Sequence, residues 1–257
     1  MLGAIAGDLI GSVYEGWNRQ IKTVDFPLFS SECRFTDDTV LTIAVADAIL
    51  QKGDYATFIQ DYARRYPNAG YGGSFKHWVY DENKEAYNSF GNGSAMRVSP
   101  VGWAFDTQED VLKEAERSAA VTHNHLEGIK GAQAVALAVF LARQGQDKTT
   151  IQDEIIQRFN YDLTRTLDEI RPGYSFDVTC QGSVPESIIA FLESESVEDA
   201  IRKAISLGGD SDTMACISGS IAEAYYRDIP EEILIAIERL LPRELVEVVN
   251  RFAARYY

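Results

Sequence analysis

Two acidic clusters carry the residue types most suited to chemistry. The stretch "RFTDDTVLTIAVADAIL" sets Asp37 and Asp38 side by side behind Thr36, and "SLGGDSDTMACISGSIAEAYY" sets Asp210 and Asp212 just ahead of Thr213. Each cluster leads directly into an apolar or small-residue run. Neighbouring like charges at such a boundary need open water or a cation. Helix capping is one reading, because Asp, Ser and Thr oxygens accept the free amides of a first turn and carboxylates suit the positive helix end. One cap would suffice for that, and both clusters double the acid. If the clusters meet, four carboxylates and two hydroxyls form an all-oxygen ligand set, suited to Mg²⁺, Mn²⁺ or Ca²⁺ rather than structural zinc. Four acids balance two divalent ions, and paired ions ~3.5–4 Å apart can orient a substrate oxygen and activate water.

Other polar residues leave more than one reading open. Glu15, in "GDLIGSVYEG", could face water from a helix, or Gly11 and Gly16 could bring its backbone close to a ligand. Asp8 reads as a structural hydrogen-bond partner. The histidines are His77, His123 and His125. "THNH" lacks a zinc spacing with nearby thiols or acids; His123 suits a phosphate or an adenine, and alternation turns His125 another way. Trp78 and Phe90 could stack on a base or close a core.

These residues need a scaffold, and the patterning predicts a helical one. Helix-period segments fall at 36–50, 54–65, 109–120, 127–143, 151–159, 163–169, 184–193, 197–206, 213–226, 230–240 and 243–255. Small residues in 127–143 permit close approach of another helix, and 213–226 reads as deeply buried. Pro230 and Pro242 fall at expected helix starts. Two loop-rich intervals interrupt the order, one from Tyr66 through "NSFGNGSAMRVSP", the other around "RPGYSFDVTCQGSVPES". Loops on a helical scaffold are where a ligand site is usually built.

The chain of 257 residues, 46% hydrophobic, can bury one large core, so a single domain over 1–257 is the simplest organisation. A formal charge of -15 argues against a generic nucleic-acid partner. Widely spaced Cys33, Cys180 and Cys216 fit a reduced, cytoplasmic protein. No apolar run approaches a bilayer span, and the start lacks a basic leader, so neither a membrane nor a signal peptide is expected.

In order along the chain, "GAIAGDLIGSVYEG", "FTDDT", "FGNGSAMRVSP", "VTHNHLEGIKGA" and "GGDSDT" resemble the ADP-ribosylglycohydrolase family, which includes dinitrogenase-reductase-activating glycohydrolase. The likeness runs from the first residues to beyond position 220. It implies a compact all-α, single-domain fold around a binuclear Mg²⁺ centre, with Mn²⁺ as an alternative. It implies metal ligands at Thr36, Asp37, Asp38, Asp210, Asp212 and Thr213. Glu15 matches an early glutamate beside the metals that moves as substrate enters. Asn88, Ser89, Phe90, Gly91, Asn92 and Gly93 match a loop that wraps the distal ribose and phosphates, and His123 a phosphate-contacting histidine. Ser89 and Phe90 stand where the arginine-linked and nitrogenase-regulating branch can carry an acid, so the chain is more similar to the O-linked, serine-type hydrolases.

The resemblance therefore implies metal-dependent hydrolysis at C1 of the distal ribose of ADP-ribosylated proteins or small molecules, releasing ADP-ribose; the protein is expected to act as a monomer. Glu15 would act with Asp37 and Asp38 on water or leaving group, and backbone amides of the turn 91–93 could receive the diphosphate. Rival readings are a hydrolase of another ribosylated metabolite and a non-catalytic ADP-ribose-binding or structural relative.

Overall fold

Glycines at positions 3, 7 and 11 recur every fourth residue and line one stripe of the first helix, α1 (Leu2–Gly11). They let it lie backbone to backbone on α13 (Ser211–Tyr226). A Cβ at Gly7 would sit 2.1 Å from the Ala215 carbonyl oxygen, and one at Gly3 2.2 Å from that of Gly219. A Cβ at Gly11 would fall 2.6 Å from Asp212 Cα. Only hydrogen fits at these contacts, so the glycine stripe determines how closely the start of α13 approaches the end of α1.

The computed structural model describes every residue except Trp17. Its described residues are mainly helical and carry only an isolated antiparallel bridge, Gly91 to Thr179. α13 is buried from Ser211 through Ala224 and packs against α1, α8 (Leu126–Arg143), α11 (Cys180–Leu192) and α12 (Val197–Ile205). A helix so enclosed cannot show an amphipathic stripe, which is why its sequence is small and apolar on all sides. α8 is the second central element. Its Gly131 admits Cys180, since a Cβ there would meet Sγ at 2.4 Å.

Most expected helices form near their predicted places: α2 (Asp37–Gln51), α3 (Tyr55–Arg65), α7 (Gln108–Ala120), α9 (Lys148–Phe159), α14 (Glu231–Leu240) and α15 (Arg243–Tyr256). Pro230 and Pro242 occupy the N-caps of the last two, one place before the first helical residue. The expected segment 163–169 shortens to α10 (Leu167–Ile170), started by a capping box between Thr166 and Glu169. The interval read as loop from 66 contains α4 (Gly73–Val79), α5 (Gly93–Met96) and α6 (Ser99–Ala104). These are too short for a periodic signal, and tertiary packing stabilises them. α11 begins earlier than expected and carries Pro185 inside it, where the ring removes an amide bond but the helix persists in the core.

Candidate active site

The N-terminal ends of α2 and α13 and the segment after α1 meet at the floor of a cavity of about 580 Å³. Pockets of that size take small-molecule ligands. Glu15, Asp37, Asp38, Asp210, Asp212 and Thr213 line it, and so do all six residues of the loop 88–93 and His123. Acids far apart in sequence therefore face one space.

Capping does not account for them. The amides of the first turn of α2 are taken by other groups. Asp8 Oδ2 accepts from the Thr36 and Thr39 amides at 2.9 and 3.1 Å, and Thr36 Oγ1 caps the Asp38 amide at 3.3 Å. Asp210 stands at the N-cap of α13 but makes no capping bond. Its Oδ2 instead accepts from Asn92 Nδ2 at 2.8 Å. Thr213 Oγ1 donates to Asp38 Oδ2 at 3.3 Å, joining the two clusters directly.

Oxygen atoms of Asp8, Asp38 and Asp212 lie within 4.8 Å of one another, as do oxygens of Glu15, Asp210 and Asp212. Asp212 belongs to both sets, so the two groups of oxygens adjoin and either could hold a cation. Asp37 lines the cavity but joins neither set. Thr36 lies behind the lining, its Oγ1 donating to Asp8 Oδ1 at 2.7 Å. Asp8 is both the structural partner its sequence position predicts and a member of a ligand set, a role the sequence reading missed. The available signal was an acid inside an otherwise apolar and glycine-rich helix.

The electrostatics fit a cation. Asp38 Oδ1 is buried without a hydrogen-bond partner. Burial, then the neighbouring Asp8, pushes Asp37 up to about 8. Asp38 is driven well above its usual range by burial and then Asp8, and Asp212 by burial and then Asp210. Burial raises Asp210 to about 6 despite the Asn92 amide that favours its charged form. Clustered buried carboxylates with no basic partner among them must take up protons or bind metal. An all-oxygen set suits Mg²⁺ or Mn²⁺.

The wall opposite the floor is the loop 88–93, stitched to residues 178–180. The Asn92 amide donates to the Val178 carbonyl at 2.8 Å and the Cys180 amide to that of Phe90 at 2.9 Å. Ser89 Oγ accepts the Gly91 amide at 3.1 Å. Two of the three turn amides expected to receive a diphosphate are thus already bonded within the protein, because the loop must hold its own shape. The Gly93 amide, at the start of α5, remains. Phe90 is 44% exposed at the rim, its ring 5.3 Å from that of His125. Trp78 is buried against Phe75 and closes the core rather than stacking on a ligand. His125 turns away to cap α8, accepting the Glu127 amide at 3.1 Å. Glu15 is half-buried beyond the end of α1, facing the cavity rather than open water. Tyr87, Phe176 and Gly70 also line the cavity; no spacing in the sequence marks them.

An acid-floored cavity between two buried helix starts, in an all-helical domain, defines a class of protein: the chain belongs to the ADP-ribosylglycohydrolase family, which it matches over residues 1–257. The family hydrolyses ADP-ribose linkages and depends on metal, and the acidic floor could bind it. Among curated relatives, the chain is 28% identical to ADP-ribosylhydrolase ARH3 of Homo sapiens over 88% of this chain and 84% of that protein. The ARH3 of Xenopus tropicalis is also 28% identical, over 88% and 85%. ADP-ribosylarginine hydrolase Tri1 of Pseudomonas putida is 26% identical over 88% of this chain and 69% of that protein. A solved structure described as an ADP-ribosylglycohydrolase-related protein complex superposes with a TM-score of 0.68 at 25% identity, covering 98% of this chain and 96% of that one.

Proposed function

We propose that this protein is a Mg²⁺- or Mn²⁺-dependent hydrolase that cleaves the bond between C1 of the distal ribose and an acceptor oxygen, releasing ADP-ribose. The observation that carries the reading is the pair of carboxylate sets sharing Asp212 beneath a cavity walled by the loop 88–93. Divalent cations held there would supply Lewis acidity toward the ribose hydroxyls and make a nearby water more acidic. Asp8, Asp38, Asp210, Asp212 and Glu15 would hold them, with Asp37 and Thr213 as further oxygen donors lining the cavity and Thr36 orienting Asp8 from behind.

In the reaction, water adds to C1 as the bond to the acceptor breaks. The water must lose a proton and the departing oxygen must gain one. Glu15 faces the cavity within the Asp210–Asp212 set and can hold or move such a proton. The loop offers no alternative: Ser89 Oγ closes the turn and Phe90 carries no titratable group. That absence of a loop carboxylate supports an O-linked acceptor over an arginine-linked one. Asn92, through its bond to Asp210, fixes the loop to the acidic floor and so sets the distance between diphosphate and ribose subsites.

The test is a parallel assay on an ADP-ribosyl-serine peptide, ADP-ribosyl-arginine and O-acetyl-ADP-ribose, with Mg²⁺, with Mn²⁺ and with a chelator. Release of ADP-ribose from an O-linked substrate, abolished by chelation, is the expected result. Cleavage of the arginine linkage alone would overturn the acceptor assignment, and full activity in chelator would overturn the metal dependence.

A further inference from the structure

The hydrogen bonds behind His123 run deeper than the cavity wall. Arg97 is completely buried between α5 and α6, and among the described residues it makes no ion pair. Its Nη2 donates to the Ser118 carbonyl at 3.0 Å and to Thr122 Oγ1 at 2.8 Å, while Nε and Nη1 have no partner. A guanidinium can only donate, so Thr122 Oγ1 is the acceptor in that bond. The threonine's own hydrogen is then left for its other neighbour, His123 Nδ1, 2.7 Å away. Thr122 is buried, and a buried hydroxyl that can donate does so. Nδ1 is therefore an acceptor, and the ring proton resides on Nε2.

Nε2 is the atom that faces the loop. A Cβ built on Gly93 would lie 3.3 Å from it and one on Gly91 3.6 Å, which puts the nitrogen in the concave side of the turn 91–93. We propose that Arg97 and Thr122 are positioning residues that hold His123 as a neutral imidazole with Nε2–H aimed into the cavity, as a donor to an anionic oxygen of the ligand. The inference rests on the ADP-ribose reading, in which the diphosphate supplies that oxygen. It explains how a protein of charge -15 receives an anion where most turn amides are already bonded. The anion meets a neutral donor, with the buried Arg97 charge behind it. Arg97 is the one basic side chain among the described residues lining the cavity, apart from the histidine itself. Burial and then Arg97 hold His123 well below its usual titration range, in keeping with a neutral ring.

The experiment reads the tautomer and the affinity separately. Long-range ¹H–¹⁵N correlation spectra of the ¹⁵N-histidine-labelled protein, with His123 signals identified by their loss in His123→Gln, are expected to show a protonated Nε2 and a bare Nδ1. The tautomer is read on the parent protein itself. Thr122→Val keeps the side-chain shape but removes the hydroxyl; it is expected to mix the tautomers and to weaken ADP-ribose binding, measured by calorimetry, about tenfold, the scale of one hydrogen bond. Thr122→Ser is expected to restore both to within about twofold. A protonated Nδ1 in the parent, or an unchanged tautomer and affinity in Thr122→Val, would overturn the proposal. If the parent shows Nε2–H but binds no ADP-ribose, the ADP-ribose reading of the cavity fails while the relay stands.

Discussion

At the scale of single residues, the floor separates side chains that share a job in sequence. Asp37 and Asp38 are adjacent, yet only Asp38 joins a ligand set, because successive residues of a first helical turn point about a quarter-turn apart. Asp212, by contrast, serves both sets. Asp212→Asn is therefore expected to lower the Mn²⁺ stoichiometry by more than Asp37→Asn, and calorimetric titration of the two variants checks the order. In chelator the same Asp212→Asn protein should melt no lower than the parent, since a neutral amide needs neither proton nor cation to sit buried beside Asp38 and Asp210. A lower melting temperature would show that the carboxylate is structural. Glu15 sits at the edge of the second set with its charge toward the cavity. If it moves the proton, Glu15→Gln is expected to keep ADP-ribose binding and at least one ion while turnover falls roughly 10²–10⁴-fold. Turnover within about threefold of the parent at saturating substrate and Mg²⁺ would reject that role.

At the scale of elements, the site depends on the contact between α1 and α13. Their backbones touch through Gly3, Gly7 and Gly11, which places Asp8 within reach of Asp212. Added volume at the middle of this contact has nowhere to go, because the atoms facing Gly7 are backbone. Gly7→Ala is expected to cost about 1–3 kcal/mol or more, the overpacking scale, and to weaken cation binding as the helices part. Gly173→Ala meets nothing within 4 Å and is the matched control, expected to stay within about 0.5 kcal/mol. Equal chemical-denaturation midpoints for the two variants would refute the account.

At the scale of the whole molecule, the acidic floor makes stability depend on pH and on cation together. Asp37 titrates near 8 and Asp210 near 6 in the folded chain, both raised first by burial, against an ordinary value of 3.8. Between those limits the folded chain without metal binds more protons than the unfolded one. Its stability is accordingly undiminished by these groups below about pH 4 and falls as pH rises from there towards 8. Bound Mg²⁺ replaces the protons, and its stabilisation, about 2.7 kcal/mol at a hundredfold excess over Kd, requires ionised carboxylates. The Mg²⁺-induced rise in melting temperature is expected to grow from pH 5 to pH 8 in paired scans with and without chelator. A constant increment would mean that the carboxylates are already ionised in the metal-free protein.

The sequence by itself determined the helical class, the two acid–threonine clusters, and the buried character of α8 and α13. Each of these is a local property: a period, a composition or a neighbouring pair of charges. The short helices α4, α5 and α6 escaped notice because a turn or two of helix carries no period and depends on partners elsewhere in the chain. Only the tertiary structure decided which acids could share a cation, because Asp8, Asp38 and Asp212 come from three different helices, two of them held together by a glycine contact. It also decided that Ser89 and Asn92 support the loop while His123 faces it. Hydrogen bonds such as Arg97 to Thr122 to His123 join positions by direction as well as distance, and a linear string of residues records neither.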